Sequence, residues 1–261
     1  MLNYTAMYHG DTELKRLYRG GTLIWEKQSP APVYDETKIA IVLLDDEDNF
    51  TNDVHYETTI QGAKTYMLGN PENRYFVHIG DNSGIEFLPT LSTSSDMPNT
   101  FYSVPNMIYL YIGSCVTGFG STSESLPGYT YRYGALQNCT GLKKVEYSGA
   151  INYSYSGTFA NCTSLEDFTI PPGVSEIPSG MFNGCTTLHT LNVSDGVTTF
   201  RNGCCSGTLA LSTISLPSSI TTIESYAFSG SGLTQITIDK PSGSISGAPW
   251  GATNATVTWT G

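Results

Sequence analysis

Charge is scarce in this 261-residue chain. Asp, Glu, Lys and Arg make up only 13% of it, with 12 basic residues against 23 acidic ones and a net charge of −11. Binding to a phosphate backbone runs on clustered Lys and Arg, so no nucleic-acid partner is expected. Long apolar runs are missing too. The longest, such as Ile39 to Leu44, fall far short of the roughly 20 residues a spanning helix needs, and no membrane insertion is expected. The first ten residues, MLNYTAMYHG, lack the basic start and apolar stretch of a secretion signal. The chain is expected to stay where it is made or to leave by another route; excision from a longer precursor fits less well with an initial Met.

Catalytic vocabulary is equally thin. The four histidines, His9, His55, His78 and His189, are scattered, and no G-x-S-x-G, H-E-x-x-H or glycine-rich phosphate loop occurs. Catalysis needs convergent polar groups in a pocket, so the chain is expected not to be an enzyme and to carry no cofactor. The six cysteines, Cys115, Cys139, Cys162, Cys185, Cys204 and Cys205, form no C-x-x-C pair, and none has a His at zinc spacing; no metal ligands are assigned. Asp45-Asp46-Glu47-Asp48 opens an EF-hand-like stretch from Asp46 to Glu57. It fails at Phe50, and at Thr51, where glycine is required. A solvated acidic loop is expected instead.

What the chain has is turn and strand material. Nearly a quarter of it is Ser or Thr, with 27 Gly and 13 Pro. It also has a period. Cys139, Cys162 and Cys185 are 23 residues apart, as are Leu142, Leu165, Leu188 and Leu211. Apolar residues recur at offsets 0, 3, 5, 9 and 12 from each Leu, as in Leu165, Phe168, Ile170, Val174 and Ile177. Offsets 3 and 5 differ by two, the spacing of a strand. An earlier copy starts at Met107 and carries an insertion within Gly120–Gly134; a shortened one includes Leu233, Ile236 and Ile238. A unit this short cannot bury its apolar edge alone, so stacked neighbours must share a core. Five or six coils about 4.8 Å apart give an array roughly 25 Å long. Cysteines repeating at one register read as small buried side chains. Cys204-Cys205, off that register, is the pair expected to oxidise first. Asn138 and Asn161 begin N-x-T triplets but sit in the repeat register, where capping a turn is expected rather than a glycan.

The segment LSTISLPSSITTIESYAFSGSGL, Leu211–Leu233, resembles the leucine-rich repeat of BspA type, also called the Treponema pallidum type. Leu216-Pro217, Ile220, Ile223, Ala227-Phe228 and Leu233 fill its pattern, and Phe159…Cys162 and Phe182…Cys185 fill its A-F-x-x-C part with a changed first residue. The resemblance spans roughly Met107 to Lys240. It implies a mainly β fold, a leucine-rich-repeat solenoid of about 23-residue repeats preceded by a small β region. The stretch GDTELKRLYRGGTLIWEK, Gly10–Lys27, resembles leaders of structural proteins of tailed gut bacteriophages. A-P-W-G-A endings such as that from Ala248 accompany this repeat type in phage-like proteins, and Trp250 and Trp259 are expected to close the last coil.

Three regions are expected: residues 1–28 as an N-terminal β attachment segment, 34–106 as an acidic β module or solenoid cap, and 107–261 as the solenoid with a C-terminal cap. Ser29-Pro30-Ala31-Pro32 reads as a stiff linker. Within 34–106, Thr37–Leu44, Lys64–Leu68, Arg74–Ile79 and Ile85–Leu88 read as strands. Leu14, Leu17, Tyr18, Leu23, Ile24 and Trp25 are the candidate particle anchor. Residues flanking the inward pair on each strand face outward on one sheet: Tyr109 and Tyr111, Lys144 and Glu146, Asp167 and Thr169, Thr190 and Asn192, Thr213 and Ser215, Gln235 and Thr237. The insertion adds Tyr129, Tyr131 and Tyr133, and tyrosine brings contact area at low entropy cost. Tyr153 and Tyr155 read more as packing than as contacts. The resemblance implies a non-enzymatic virion protein. It would join other virion proteins through the N-terminal segment and show its repeats to a host-surface or mucosal glycan or protein. A homo-oligomer is expected, as virion proteins are usually symmetric. A bacterial cell-surface adhesin with these repeats is the first alternative, and a purely architectural particle protein the second.

Overall fold

The computed structural model describes residues 16–19, 22–26, 34–85, 87–88, 100–116, 118–119, 134–150 and 156–261. Strands β1 (Arg16–Arg19) and β2 (Thr22–Glu26) pair antiparallel. Leu17, Tyr18, Leu23, Ile24 and Trp25 lie on these two strands; Leu14 lies outside the described residues, as do the Ser29–Pro32 linker and Tyr129, Tyr131, Tyr133, Tyr153 and Tyr155.

Strands β3 (Ile39–Leu44) and β4 (Phe50–Glu57) are antiparallel, and β3 also pairs antiparallel with β5 (Arg74–Ile79). Strand β5 pairs in parallel with β7 (Met107–Ile112), and β7 with β9 (Lys144–Tyr147). One five-stranded sheet, in the order β4-β3-β5-β7-β9, therefore crosses the boundary expected at residue 106. Two-residue strands β6 (Phe87–Leu88) and β8 (Gly118–Phe119) pair beside it.

Two local expectations fail here. Lys64–Leu68 is not a strand but lies inside helix α1 (Ile60–Gly69). Thr59 caps it, its hydroxyl accepting from the Gly62 N–H at 3.0 Å. Ile60, Ala63 and Met67, spaced three and four apart, form its buried side. The acidic loop is not simply solvated either. Asp45 folds it by accepting from the Glu47 and Asn49 N–H groups. The Asp48 side chain is only 10% exposed and pairs with Arg74 and, at 2.6 Å, with Lys143. The stretch read for EF-hand-like spacing runs on into β4, whose extended backbone cannot gather ligands around one ion.

From residue 156 onward the period is visible in backbone pairing. Strands β10 (Asp167–Thr169) and β12 (Thr190–Asn192) pair in parallel. So do β14 (Thr213–Leu216), β16 (Gln235–Ile238) and β17 (Thr256–Trp259). The second apolar run of each coil gives a parallel ladder of β11 (Glu176–Ile177), β13 (Thr199–Phe200) and β15 (Thr222–Ile223). Strand β17 lies in the stretch expected to close the last coil, and its T-V-T-W alternation continues the sheet.

One hydrophobic cluster runs from Ile39 to Ala252 through every coil. Phe159 and Phe182, equivalent residues of adjacent coils, stack with centroids 5.7 Å apart, and Phe168 packs against both. All six cysteines are free thiols. Cys139, Cys162 and Cys185 are fully buried, each thiol donating to a carbonyl of a neighbouring coil, those of Phe101, Leu136 and Phe159. Burial pushes the Cys139 thiol up to about 12 and raises the other two as well. Thr208 and Ser231 hold the same register in the next two coils. Cys204 and Cys205 are also fully buried. The expectation that they oxidise first is therefore corrected, since reactivity needs an accessible thiolate. Asn138 and Asn161 occupy left-handed turn positions, φ 62° and 59°, and the Asn161 amide donates to the Asn138 side-chain carbonyl at 3.0 Å. Trp250 is 1% exposed and donates its indole N–H to the Ser246 carbonyl at 2.7 Å, while Trp259 packs against the core half-buried. No helix among the described residues is long and apolar enough to cross a membrane.

Candidate binding face

Alternation along each strand sorts side chains between two sides. Val145, Phe168, Leu191, Ile214 and Ile236 point into the core at 0–6% exposure. Their neighbours point away. Backbone register places Asp167 beside Thr190 and Thr169 beside Asn192. It aligns Thr213, Gln235 and Thr256 in one row and Ser215, Thr237 and Thr258 in another. Thr256 and Thr258 were not expected on this face, because the stretch holding Trp250 and Trp259 was assigned to closing the last coil.

The rows are partly satisfied by each other. The Asn192 amide donates to the Thr169 hydroxyl at 3.0 Å, and the Gln235 amide to the Thr258 hydroxyl at 2.7 Å. Lys144 pairs with Glu146 on β9. These contacts fix side-chain directions between coils, so the face is ordered before any partner arrives. Thr169, Thr213 and Ser215 are exposed; Lys144, Glu146, Asp167, Thr190, Asn192, Gln235 and Thr237 are half-buried.

The tyrosine edge does not extend this face as expected. Tyr111 is 7% exposed and Tyr109 half-buried. Their sheet continues through β5 and β3, whose residues on the same side, Phe76, Val42 and Leu44, are apolar. Together with Ile108 and Tyr111 they make a second cluster, against which Tyr34, Phe50, Val54 and Tyr109 pack. The His78 ring lies between Tyr34 and Tyr111, 4.6 Å from each, and its Nε2 is 3.3 Å from Glu36 Oε2. That hydrogen bond holds the Glu36 carboxyl below its ordinary range. The open polar surface therefore starts at Lys144 and Glu146.

One group at its margin went unassigned in the sequence. Glu166, Asp167 and His189 offer ligand atoms that all lie within 4.8 Å of one another. The 23-residue period puts Glu166 and His189 at one register, a signal that a search for short local spacings does not see.

Residues 129–246 match six copies of the family described as BspA type Leucine rich repeat region. No curated protein matches the chain. Among solved structures it is similar to a leucine-rich repeat protein from Eubacterium ventriosum, at 27% identity and a TM-score of 0.45 over 58% of this chain and 36% of that one. It is also similar to a leucine rich cell surface protein from Faecalibacterium prausnitzii, at 24% identity and a TM-score of 0.41 over 65% of this chain and 51% of that one. The chain thus spans about a third to a half of the length of these structures.

Proposed function

We propose that this chain is a non-enzymatic adhesion component whose repeat solenoid displays the polar face from Lys144 to Thr258 to a glycan or protein on a host or mucosal surface. The observation that carries this reading is the face itself: aligned Thr, Ser, Asn and Gln side chains, tied between coils, over a sealed apolar core. Such a surface offers many pre-positioned hydrogen-bonding groups along several coils, which suits an extended partner.

The N-terminal strand pair of β1 and β2 supplies the attachment, and its likeness to bacteriophage leaders supports a virion as the particle. A bacterial cell surface is the second reading, favoured by the BspA-type repeats. Peptide mass spectrometry of density-purified particles against washed envelopes of the source culture separates them. Stoichiometric peptides in particles support the virion; peptides confined to envelopes overturn it and leave the bacterial adhesin. Alanine at Leu14, Leu17 and Trp25 is then expected to abolish incorporation while the repeats stay folded, and normal incorporation refutes the anchor. Protection of the polar face by neighbouring chains in intact particles would point to a purely architectural role.

A further inference from the structure

We propose that Glu166, Asp167 and His189 form a site for a divalent transition metal of the zinc class. The backbone builds it across two coils. The His189 N–H donates to the Glu166 carbonyl at 2.9 Å, which sets the two side chains one strand spacing apart. Asp167 opens β10, in register with Thr190, the residue after His189. His189 Nδ1 lies 3.2 Å from Asp167 Oδ1. Zinc bonds of about 2.0–2.2 Å in tetrahedral geometry separate neighbouring ligand atoms by roughly 3.3–3.6 Å. The Asp167–His189 pair already has about that spacing, and side-chain rotation covers the rest.

The donor set selects the ion. Two carboxylates balance a 2+ charge, and one imidazole favours zinc over calcium or magnesium, which prefer oxygen alone. Three protein ligands leave a position open to water or to an oxygen of a bound partner. His189 is 49% exposed and Asp167 36%, so an ion can enter from solvent, and the net charge of −11 favours its approach. The site stands whether or not the polar face binds a partner.

The test is a Zn2+ titration of the full chain by calorimetry in a non-chelating buffer, with the His189 imidazole followed by NMR. One saturable site is expected, with the His189 ring signals shifting on binding. His189→Ala and Asp167→Asn each weaken it by about ten-fold or more. His55→Ala, which removes the separate His55–Glu57 pair, leaves it unchanged. Each variant is checked for an unaltered far-ultraviolet spectrum. No saturable uptake, uptake equal in both site variants and the parent, or uptake lost in His55→Ala overturns the proposal.

Discussion

Cys205 stands where the preceding and following coils have Phe182 and Phe228, and Phe200 where they have Ile177 and Ile223. One coil thus carries the pair Phe200 and Cys205 in place of isoleucine and phenylalanine. All six residues are buried, five of them at 0%, and the Phe200 ring reaches to 5.5 Å from that of Phe228. We read this as a volume-conserving exchange: the larger ring before the turn occupies space that a ladder phenylalanine fills elsewhere. Cys205→Phe alone then overpacks the coil, at a cost of about 1–3 kcal/mol. Phe200→Ile alone leaves a partial void, at about 1–2 kcal/mol. The double variant restores the neighbouring coils' arrangement and should lie within about 1 kcal/mol of the parent. The coupling energy is therefore expected at about 1–5 kcal/mol, in the stabilising direction. Urea titration followed by circular dichroism measures the cycle, with fluorescence of the buried Trp250 as a second probe. Thermal midpoints should move by roughly 2–4 °C for each kcal/mol in a chain of this size. Strict additivity of the two single losses, within about 0.5 kcal/mol, would refute the exchange.

Thiol labelling under native conditions should modify Cys115, the one cysteine that is not fully buried, and leave the other five until the chain unfolds; fast loss of two or more thiols contradicts the packing described. Tyr111→Ala should cost about 2–4 kcal/mol of stability, because it opens the second cluster beside His78. By contrast, Thr213→Ala on the exposed face should change stability by no more than about 0.5 kcal/mol. Denaturant titration distinguishes these two, and equal losses would mean that Tyr111 is solvated. Hydrogen bonding from His78 depresses the Glu36 carboxyl, so its contribution is present above the usual carboxylate range and is lost as pH falls through it. The stability advantage of the parent over Glu36→Gln should shrink between pH 5 and pH 3, by under about 1 kcal/mol because the Glu36 side chain is 41% exposed; an advantage that grows on acidification refutes the assignment.

The repeat register was legible because it is a local property. A 23-residue period with apolar residues at fixed offsets states which side chains face inward, and the inward residues from Leu142 to Ile238 are nearly all buried. The cysteine ladder and the turn positions of Asn138 and Asn161 follow from the same period. Strand alternation likewise placed Thr213, Ser215 and their neighbours on the outer side. The period faded where the spacing changed, and β17 went unread although its own alternation was intact.

What covers the outer side was not a local property. Tyr109 and Tyr111 alternate with inward residues just as Thr213 and Ser215 do, yet Tyr111 is buried, because β5 and β3 extend the sheet with Phe76, Val42 and Leu44. Their arrival beside β7 is a contact across some thirty to seventy residues that no short-range pattern encodes. The helix at Ile60–Gly69 was visible in part, in Thr59 and the spacing of Ile60, Ala63 and Met67, but a short apolar run suits either periodicity until packing selects one. Asp48 reads as one acid among four, and only the approach of Arg74 and Lys143 turns it into a buried ionic link. The sequence by itself determined the coil, its register and its core. The tertiary structure decided which part of the sheet stays open to a partner, since exposure depends on neighbours supplied from elsewhere in the chain.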